Sequence, residues 1–186
     1  MLISSKSGEG LAESAFSNLL LPLFNKFNIP FSGHKTFSKT SHKSYFSGIE
    51  ISSLKENIIV VFGGDTVIFD LLNSLSENHF VTPEHRFTLC PIPCGTGNAL
   101  ATSLGIKNTP IGISRIFGLS KTSREPERLP LLKITIREQA REHVIFASVV
   151  CSWGLHASLV ANSNEPEMRR EYGAQRFQVR CLWEYC

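Results

Sequence analysis

The stretch "FGGDTVIFDLLNSL", from Phe62 to Leu75, joins an apolar run to a helical pattern through two glycines and an aspartate. The run that leads into it, "NIIVVF" (57–62), is unbroken and rich in β-branched residues, as in a strand buried on both faces of a parallel sheet. After the break, apolar residues recur at helical spacing. The stretch therefore predicts strand, glycine turn and helix, with Asp65 or Thr66 as the helix N-cap.

A second stretch, "PIPCGTGNALATSLG" (91–105), has the same plan. It continues a strand predicted for "FTLCPIP" (87–93), breaks at a glycine-flanked turn and resumes as a helix. Alternating strands and helices of this kind predict a parallel sheet with helices on its faces, and ligands bind such sheets at the carboxyl ends of the strands. The Thr96 hydroxyl, the Asn98 side chain and the successive backbone amides of this turn are suited to hold an anion. We therefore expect a phosphate-handling site where the two turns meet.

The role of Asp65 at this corner can be interpreted in two ways. The positive end of a helix dipole keeps a carboxylate ionised. An ionised carboxylate beside phosphates is suited to hold Mg²⁺ or to accept a hydroxyl proton during phosphoryl transfer. The plainer alternative is that Asp65 only caps the helix. A third and weaker turn, "SSKSGEG" (4–10), would place Ser7 and Gly8 at a helix start, or is an ordinary exposed loop.

The rest of the chain predicts further elements. "LAESAFSNLLLPLFNKF" (11–27) has helical spacing, and Pro22 should kink or restart that helix. "LLKITI" and "HVIFASVV" alternate like an antiparallel hairpin after a polar linker at 121–130. We place a domain boundary there, with a nucleotide-binding α/β domain at 1–128 and the incomplete beginning of a second domain at 129–186. The stretch 165–179 predicts one basic helix.

Composition excludes several classes of protein. A net charge of +3 and a pI near 8.6 do not indicate nucleic-acid binding. Five cysteines, an odd number without CxxC spacing, predict buried reduced thiols and a cytoplasmic protein, and Cys90 and Cys94 lack further zinc ligands. No apolar run approaches the roughly 18 residues of a membrane span, so we expect any membrane contact to be peripheral. His156 is interpreted as a structural residue.

The motifs "GGDT…LLNSL", "PIPCGTGNALATSLGI" and "SWGLHASLVANSN…RRE…RF" together resemble the diacylglycerol kinase catalytic domain family, the lipid kinases that include sphingosine and ceramide kinases. The resemblance runs from about Leu2 to Phe177. It implies an α/β nucleotide-binding domain like that of NAD kinases and diacylglycerol kinases, followed by the start of a β-sandwich. It also implies that ATP, with Mg²⁺, donates its γ-phosphoryl group to a hydroxyl of a sphingoid base, ceramide or diacylglycerol at a membrane surface.

The resemblance also implies roles for individual residues. Asp65 matches the family's catalytic aspartate, the proposed general base for the lipid hydroxyl. Arg170 and Arg176 resemble basic residues that approach the phosphates, Thr36 resembles a nucleotide-contacting threonine, and Ser158 lies in the stretch that holds the substrate head group. The residues that match the nucleotide loops are Ser7, Gly8, Gly63, Gly64, Thr66, Gly95, Thr96, Gly97 and Asn98.

The sequence departs from the family's pattern in several respects. The usual turn is GGDGT, and here the glycine after Asp65 is absent, which should tighten the turn. No acid stands in "LHASLVANSN", where sphingosine kinases carry aspartates. The second domain stops at Cys186, so we expect part of a longer enzyme. A catalytically silent nucleotide-binding or interaction protein is therefore the alternative to a lipid kinase, and NAD kinase is disfavoured by "GTGN" and "SWG".

Overall fold

The computed structural model describes residues 1–5, 7–37, 41–48, 56–80, 85–95, 97–118, 127–138, 141–152 and 154–185. Contacts divide the chain into two compact units, Met1–Val149 and Val150–Cys186. The first unit contains the sheets and the glycine turns, and the second is helical. The predicted domain boundary near residue 128 stays a prediction.

A four-stranded sheet is the centre of the first unit in the described part of the chain. Its strands are β1 (Leu2–Ser4), β2 (His34–Thr36), β3 (Asn57–Gly63) and β4 (Phe87–Pro93). Their order is β2-β1-β3-β4, and every neighbouring pair is parallel. The strands predicted from "NIIVVF" and "FTLCPIP" and the α/β fold are therefore confirmed.

Helices cover both faces of this sheet. They are α1 (Leu11–Ala15), α2 (Leu21–Lys26), α3 (Ser41–Ser47), α4 (Asp65–Glu77), α5 (Ala99–Ser103) and α6 (Thr109–Ile116). Because successive residues of a strand point to opposite faces, β3 supplies two cores. Val60 and Phe62 pack with α1, α2 and α6, whereas Ile59 and Val61 pack with α3 and α4. This alternation explains why the strand is apolar without interruption.

The predicted helix at 11–27 is interrupted, as Pro22 led us to expect. A π-helical turn, Phe16–Leu20, separates α1 from α2, and Pro22 occupies the first turn of α2. A proline in the first turn needs no hydrogen-bond partner for its nitrogen, so a new helix can start there.

An antiparallel hairpin follows in the same unit. It consists of β5 (Leu132–Glu138) and β6 (Arg141–Ala147), with Leu132 opposite Ala147 and Glu138 opposite Arg141. The predicted hairpin is confirmed. Strand β6 packs against α4.

The second unit contains α7 (Leu155–Ser163), α8 (Pro166–Tyr172), a 3₁₀ turn (Gly173–Gln175) and α9 (Arg176–Tyr185). The prediction of one continuous helix over 165–179 is wrong. Gly173 has a φ of 49°, a left-handed conformation that ends α8 and lets a new helix begin at Arg176.

Candidate active site

The glycine turns that follow β3 and β4 touch each other. These strands are neighbours in register from Asn57↔Phe87 to Gly63↔Pro93, so their carboxyl ends lie side by side. A Cβ atom on Gly64 would lie 2.6 Å from the Gly97 carbonyl oxygen, and one on Gly95 would lie 2.9 Å from the Gly64 Cα. Backbone atoms cannot move aside as a flexible side chain can. The absence of side chains at Gly64 and Gly95 is therefore what allows the two turns to meet.

Asp65 bridges the two turns. Its Oδ2 accepts a hydrogen bond from Ala99 N–H at 2.8 Å, and its Oδ1 accepts one from Leu100 N–H at 3.1 Å. Its own N–H donates to the Gly97 carbonyl oxygen at 3.3 Å. Asp65 thus supplies a carboxylate to the first turn of α5.

The prediction that Asp65 or Thr66 is the N-cap of its own helix is wrong. Gly64 is the N-cap of α4, and its carbonyl oxygen accepts from Val67 N–H and Ile68 N–H. Asp65 is the first helical residue, and its side chain points to α5 instead. Thr66 is the second helical residue and is exposed.

Asn98 closes the second turn on itself. Its Oδ1 accepts from Gly95 N–H at 3.2 Å, and its Nδ2 donates to the Gly95 carbonyl oxygen at 2.5 Å. Within the described ranges, nothing accepts a hydrogen bond from the N–H of Gly97 or of Asn98. Two donors are therefore left for an anion at this corner. Thr96, which we predicted as a ligand of that anion, lies outside the described residues.

The turn after β1 lies at the same edge of the sheet. Ser7 and Gly8 belong to a short 3₁₀ helix, Ser7–Gly10, that packs beside β3. The Ser7 hydroxyl donates to the Ser4 hydroxyl oxygen at 2.8 Å. The predicted third turn therefore exists, and the sheet order brings it next to the turn that contains Asp65.

Thr36 ends β2 at this edge, but its side chain is buried. It is 5% exposed, and its carbonyl oxygen accepts from both the N–H and the hydroxyl of Ser5. Gly63 is the last residue of β3, and its carbonyl oxygen accepts from Cys94 N–H. Both residues thus hold the edge of the sheet in place through their backbones.

Cys94 lies behind the second turn as a packing residue. Its side chain is buried, and its Sγ lies 3.7 Å from the Thr109 hydroxyl, which donates to the Pro93 carbonyl oxygen. Burial raises the pKa of the Cys94 thiol, and the bond to Thr109 opposes that shift. The prediction of buried thiols holds for Cys94 and is wrong for Cys151 and Cys181, which are exposed.

The predicted residues of the second unit lie in its helices. Ser158 is exposed on α7, and Arg170 is exposed on α8. Arg176 is only 8% exposed: it donates to the Gly173 carbonyl oxygen at 2.7 Å, and its guanidinium lies 4.3 Å from the Phe177 ring centroid. Burial, aided by the charge of Arg169, lowers the pKa of Arg176. Arg176 therefore joins the helices of its own unit.

Two further properties bear on ligands. In the ranges that the structure covers, no cluster of three or more His, Cys, Asp or Glu side chains is placed to hold a metal ion. Nor is any helix there both long and apolar enough to cross a membrane.

An apolar groove of about 520 Å³ opens at the amino ends of the strands and includes Phe24, Phe31 and Phe117 in its lining. It lies away from the glycine turns, which follow the carboxyl ends. The groove is therefore not part of the candidate site around Asp65.

Two interactions of the first unit could not be read from the sequence. One is the bridge from Asp65 to Ala99, 34 residues away, because no local pattern indicates which turn a carboxylate contacts. The other involves Asn73 in the middle of α4, which bonds to the backbone of Phe146. The one available signal was the residue type, since asparagine is a poor former of helix interiors.

The chain is similar to a protein family and to several known proteins. The family model for the diacylglycerol kinase catalytic domain matches residues 1–125. Human sphingosine kinase 1 is 28% identical over 96% of this chain and 46% of its own length, and human sphingosine kinase 2 is 24% identical over 96% of this chain and 27% of its own. Rat sphingosine kinase 1 is 24% identical, again over 96% and 46%. The chain thus spans less than half the length of these relatives. Since the family model covers two-thirds of its residues, the chain belongs to the diacylglycerol kinase catalytic domain family.

Proposed function

We propose that this chain provides the nucleotide-binding part of an ATP-dependent lipid kinase. The γ-phosphoryl group of ATP would pass to a hydroxyl of a sphingoid base, ceramide or diacylglycerol. The observation that carries the proposal is the meeting of two glycine turns at the ends of β3 and β4, with Asp65 between them. Membership of a lipid kinase family and the similarity to sphingosine kinases support it.

The backbone of the second turn would bind the nucleotide phosphates. The N–H groups of Gly97 and Asn98 are available as donors, and a Cβ on Gly97 would meet nothing closer than the Asp65 Oδ2 at 3.7 Å. Glycine there leaves room for phosphate oxygens to approach the backbone. Ser7, Gly8, Gly63, Gly64, Thr66, Gly95 and Thr96 would complete the nucleotide loops.

Asp65 would act as the general base. Each of its oxygens accepts one N–H bond, which leaves a lone pair on each oxygen for the proton of the acceptor hydroxyl. As the hydroxyl oxygen attacks the γ-phosphorus, its proton would pass to Asp65 and the bond from phosphorus to the bridging oxygen would break, releasing ADP.

Mg²⁺ would accompany the nucleotide, where it neutralises phosphate charge. The described residues do not form a metal cage, and both oxygens of Asp65 are engaged by α5. They therefore do not fit a metal held by the protein alone. Magnesium commonly binds through one or two carboxylates together with substrate phosphates and water.

The remaining predicted residues belong to the same proposal. We propose that residues 129–186 open a second domain that helps to hold the lipid, with Ser158 near its head group. Arg170 and Arg176 would approach the phosphates, although Arg176 would first have to exchange its bond to Gly173. Thr36 would contribute to the nucleotide site through its backbone. The protein would be cytoplasmic and would meet membranes peripherally.

A catalytically silent nucleotide-binding protein is the second candidate. The missing glycine after Asp65 favours it, because α4 then begins at Asp65 itself and the carboxylate is held by Ala99 and Leu100. A carboxylate that two backbone N–H groups hold in one orientation cannot turn toward an acceptor hydroxyl that lies elsewhere. In this case ATP would bind and no acceptor would be phosphorylated.

Transfer of labelled phosphate from ATP to a lipid panel, with NAD as a further acceptor, separates these candidates. Asp65→Asn should lower lipid phosphorylation by at least about a hundredfold, the usual contribution of a general base, and leave ATP binding within a few-fold. Glu77→Gln, an exposed carboxylate on the same helix, is the matched control. Turnover by Asp65→Asn at the unmodified rate would contradict the role of Asp65. ATP binding without transfer would select the silent protein.

A further inference from the structure

Asn73 joins α4 to the hairpin through a pair of reciprocal hydrogen bonds. Its Oδ1 accepts from Phe146 N–H at 2.9 Å, and its Nδ2 donates to the Phe146 carbonyl oxygen at 2.9 Å. The same Nδ2 donates to the Phe69 carbonyl oxygen, one turn earlier in α4, at 2.8 Å. Both amide hydrogens are thus in use, and the contact to Phe69 fixes the direction of the side chain.

This contact closes the outer edge of β6 at Phe146. Phe146 lies opposite Lys133 in the hairpin, but its N–H and C=O both bond to Asn73. In an antiparallel pair these two groups of one residue point to the same side of the strand, so here they point away from β5. The amide of Asn73 therefore takes the place that a neighbouring strand would have.

The residue type supports a role beyond the helix itself. Asn73 stands near the middle of a thirteen-residue helix. Asparagine in a helix interior is less favourable than alanine or leucine, because its side chain competes for backbone hydrogen bonds. Asparagine makes two hydrogen bonds to Phe146 at this position, which neither alanine nor leucine could make.

The contact lies on the helix that begins at the candidate active site. Asp65 is the first residue of α4, and Asn73 follows eight residues later, about 12 Å along the axis at the usual rise. A helix transmits position over such a length because its backbone bonds keep it stiff. The hairpin is thereby held at a fixed distance from Asp65.

We infer that Asn73 is a positioning residue, which sets the hairpin, the beginning of the proposed lipid-holding domain, relative to the helix that carries Asp65. This inference rests on the proposed lipid kinase function. We expect the contact between Asn73 and Phe146 to align the lipid that accepts the phosphoryl group. We do not expect it to affect the binding of ATP.

Amide hydrogen exchange on the full chain tests the contact without any assay of activity. In Asn73→Leu, which keeps similar size without hydrogen bonds, the Phe146 amide and its neighbours in β6 should exchange about ten- to a hundredfold faster. Amides of β3 and α4 should keep their protection, since leucine is the better helix former. Asn73→Asp retains the hydrogen-bond acceptor but not the donor. Its Phe146 amide should exchange at a rate between those of the unmodified protein and Asn73→Leu. Asn78→Ala is the control, because Asn78 donates to Ser74 on the same helix.

Steady-state kinetics of the same variants test the positioning role. Asn73→Leu should raise KM for the lipid by about tenfold and leave KM for ATP unchanged, whereas Asn78→Ala should change neither. Unchanged exchange at Phe146 would overturn the contact itself. Faster exchange with an unchanged lipid KM would overturn the positioning role. An unmodified protein that phosphorylates no lipid would refute the proposed function and the positioning role with it, and the exchange result would still decide the contact.

Discussion

At the scale of single residues, the carboxylate of Asp65 and the missing side chains of Gly64 and Gly95 depend on one another. Asp65 reaches Ala99 N–H only because the two turns lie in backbone contact. That contact requires that neither glycine carries a Cβ. One carboxylate thereby accepts hydrogen bonds from the first two N–H groups of α5, beside the proposed phosphate site.

Gly95→Ala should destabilise the protein. The new Cβ would meet the Gly64 Cα at 2.9 Å and the Gly64 nitrogen at 3.1 Å, so the turns must separate, at a cost of about 1–3 kcal/mol. Gly33→Ala is the control, because its Cβ would meet only the Phe31 ring at ordinary distance. The free energy of unfolding from urea titration measures the difference. Equal stability of the two variants would contradict the close contact.

The cysteines should differ in reactivity with pH. Burial raises the pKa of Cys94 and, together with the charge of Glu56, that of Cys90, so both thiols keep their protons at pH values where an ordinary thiol begins to ionise. Cys151 and Cys181 are exposed. Alkylation at pH 8, followed by mass spectrometry, should label the exposed pair first and Cys90 and Cys94 mainly after unfolding. Equal rates in the folded protein would contradict this burial.

At the scale of helices and strands, the sequence predicted those elements that have a clear apolar pattern, including β5, whose Leu132 and Ile136 are nevertheless exposed. Strands β3 and β4, the helix from 65 and the hairpin follow from continuous or periodic apolar residues. The break at Gly173 was missed because periodicity continues across a single left-handed residue. Glycine there was the available sign of a helix end.

Contacts between elements were less predictable than the elements. The meeting of two glycine turns followed from strand order, since adjacent parallel strands end at the same edge. The hydrogen-bond partners of Asp65 did not follow from the sequence. Whether its carboxylate bonds to its own helix or to α5 depends on how the turn after β4 is folded. The bonds from Asn73 to Phe146 join residues 73 positions apart and have no local signal.

At the scale of the whole molecule, the two compact units differ in how their interiors are packed. Residues 1–149 contain two apolar clusters, one on each face of the sheet. In the described part of the second unit, the most buried side chains are those of Met168, Ser163 and Arg176, two of them polar. Three large apolar side chains of this unit are about 60% exposed: those of Leu155, Leu182 and Trp183. The candidate site around Asp65 therefore stands on the better packed unit.

The proposed function requires that the two glycine turns form one phosphate site. Titration of ¹⁵N-labelled protein with Mg²⁺ and a non-hydrolysable ATP analogue tests this most directly through the backbone amide resonances. The resonances of Gly64, Gly97 and Asn98 should shift most and saturate together, because their turns meet at one corner. If these resonances stay unchanged at analogue concentrations that saturate binding elsewhere, the turns do not hold the phosphates and the proposed nucleotide site is wrong.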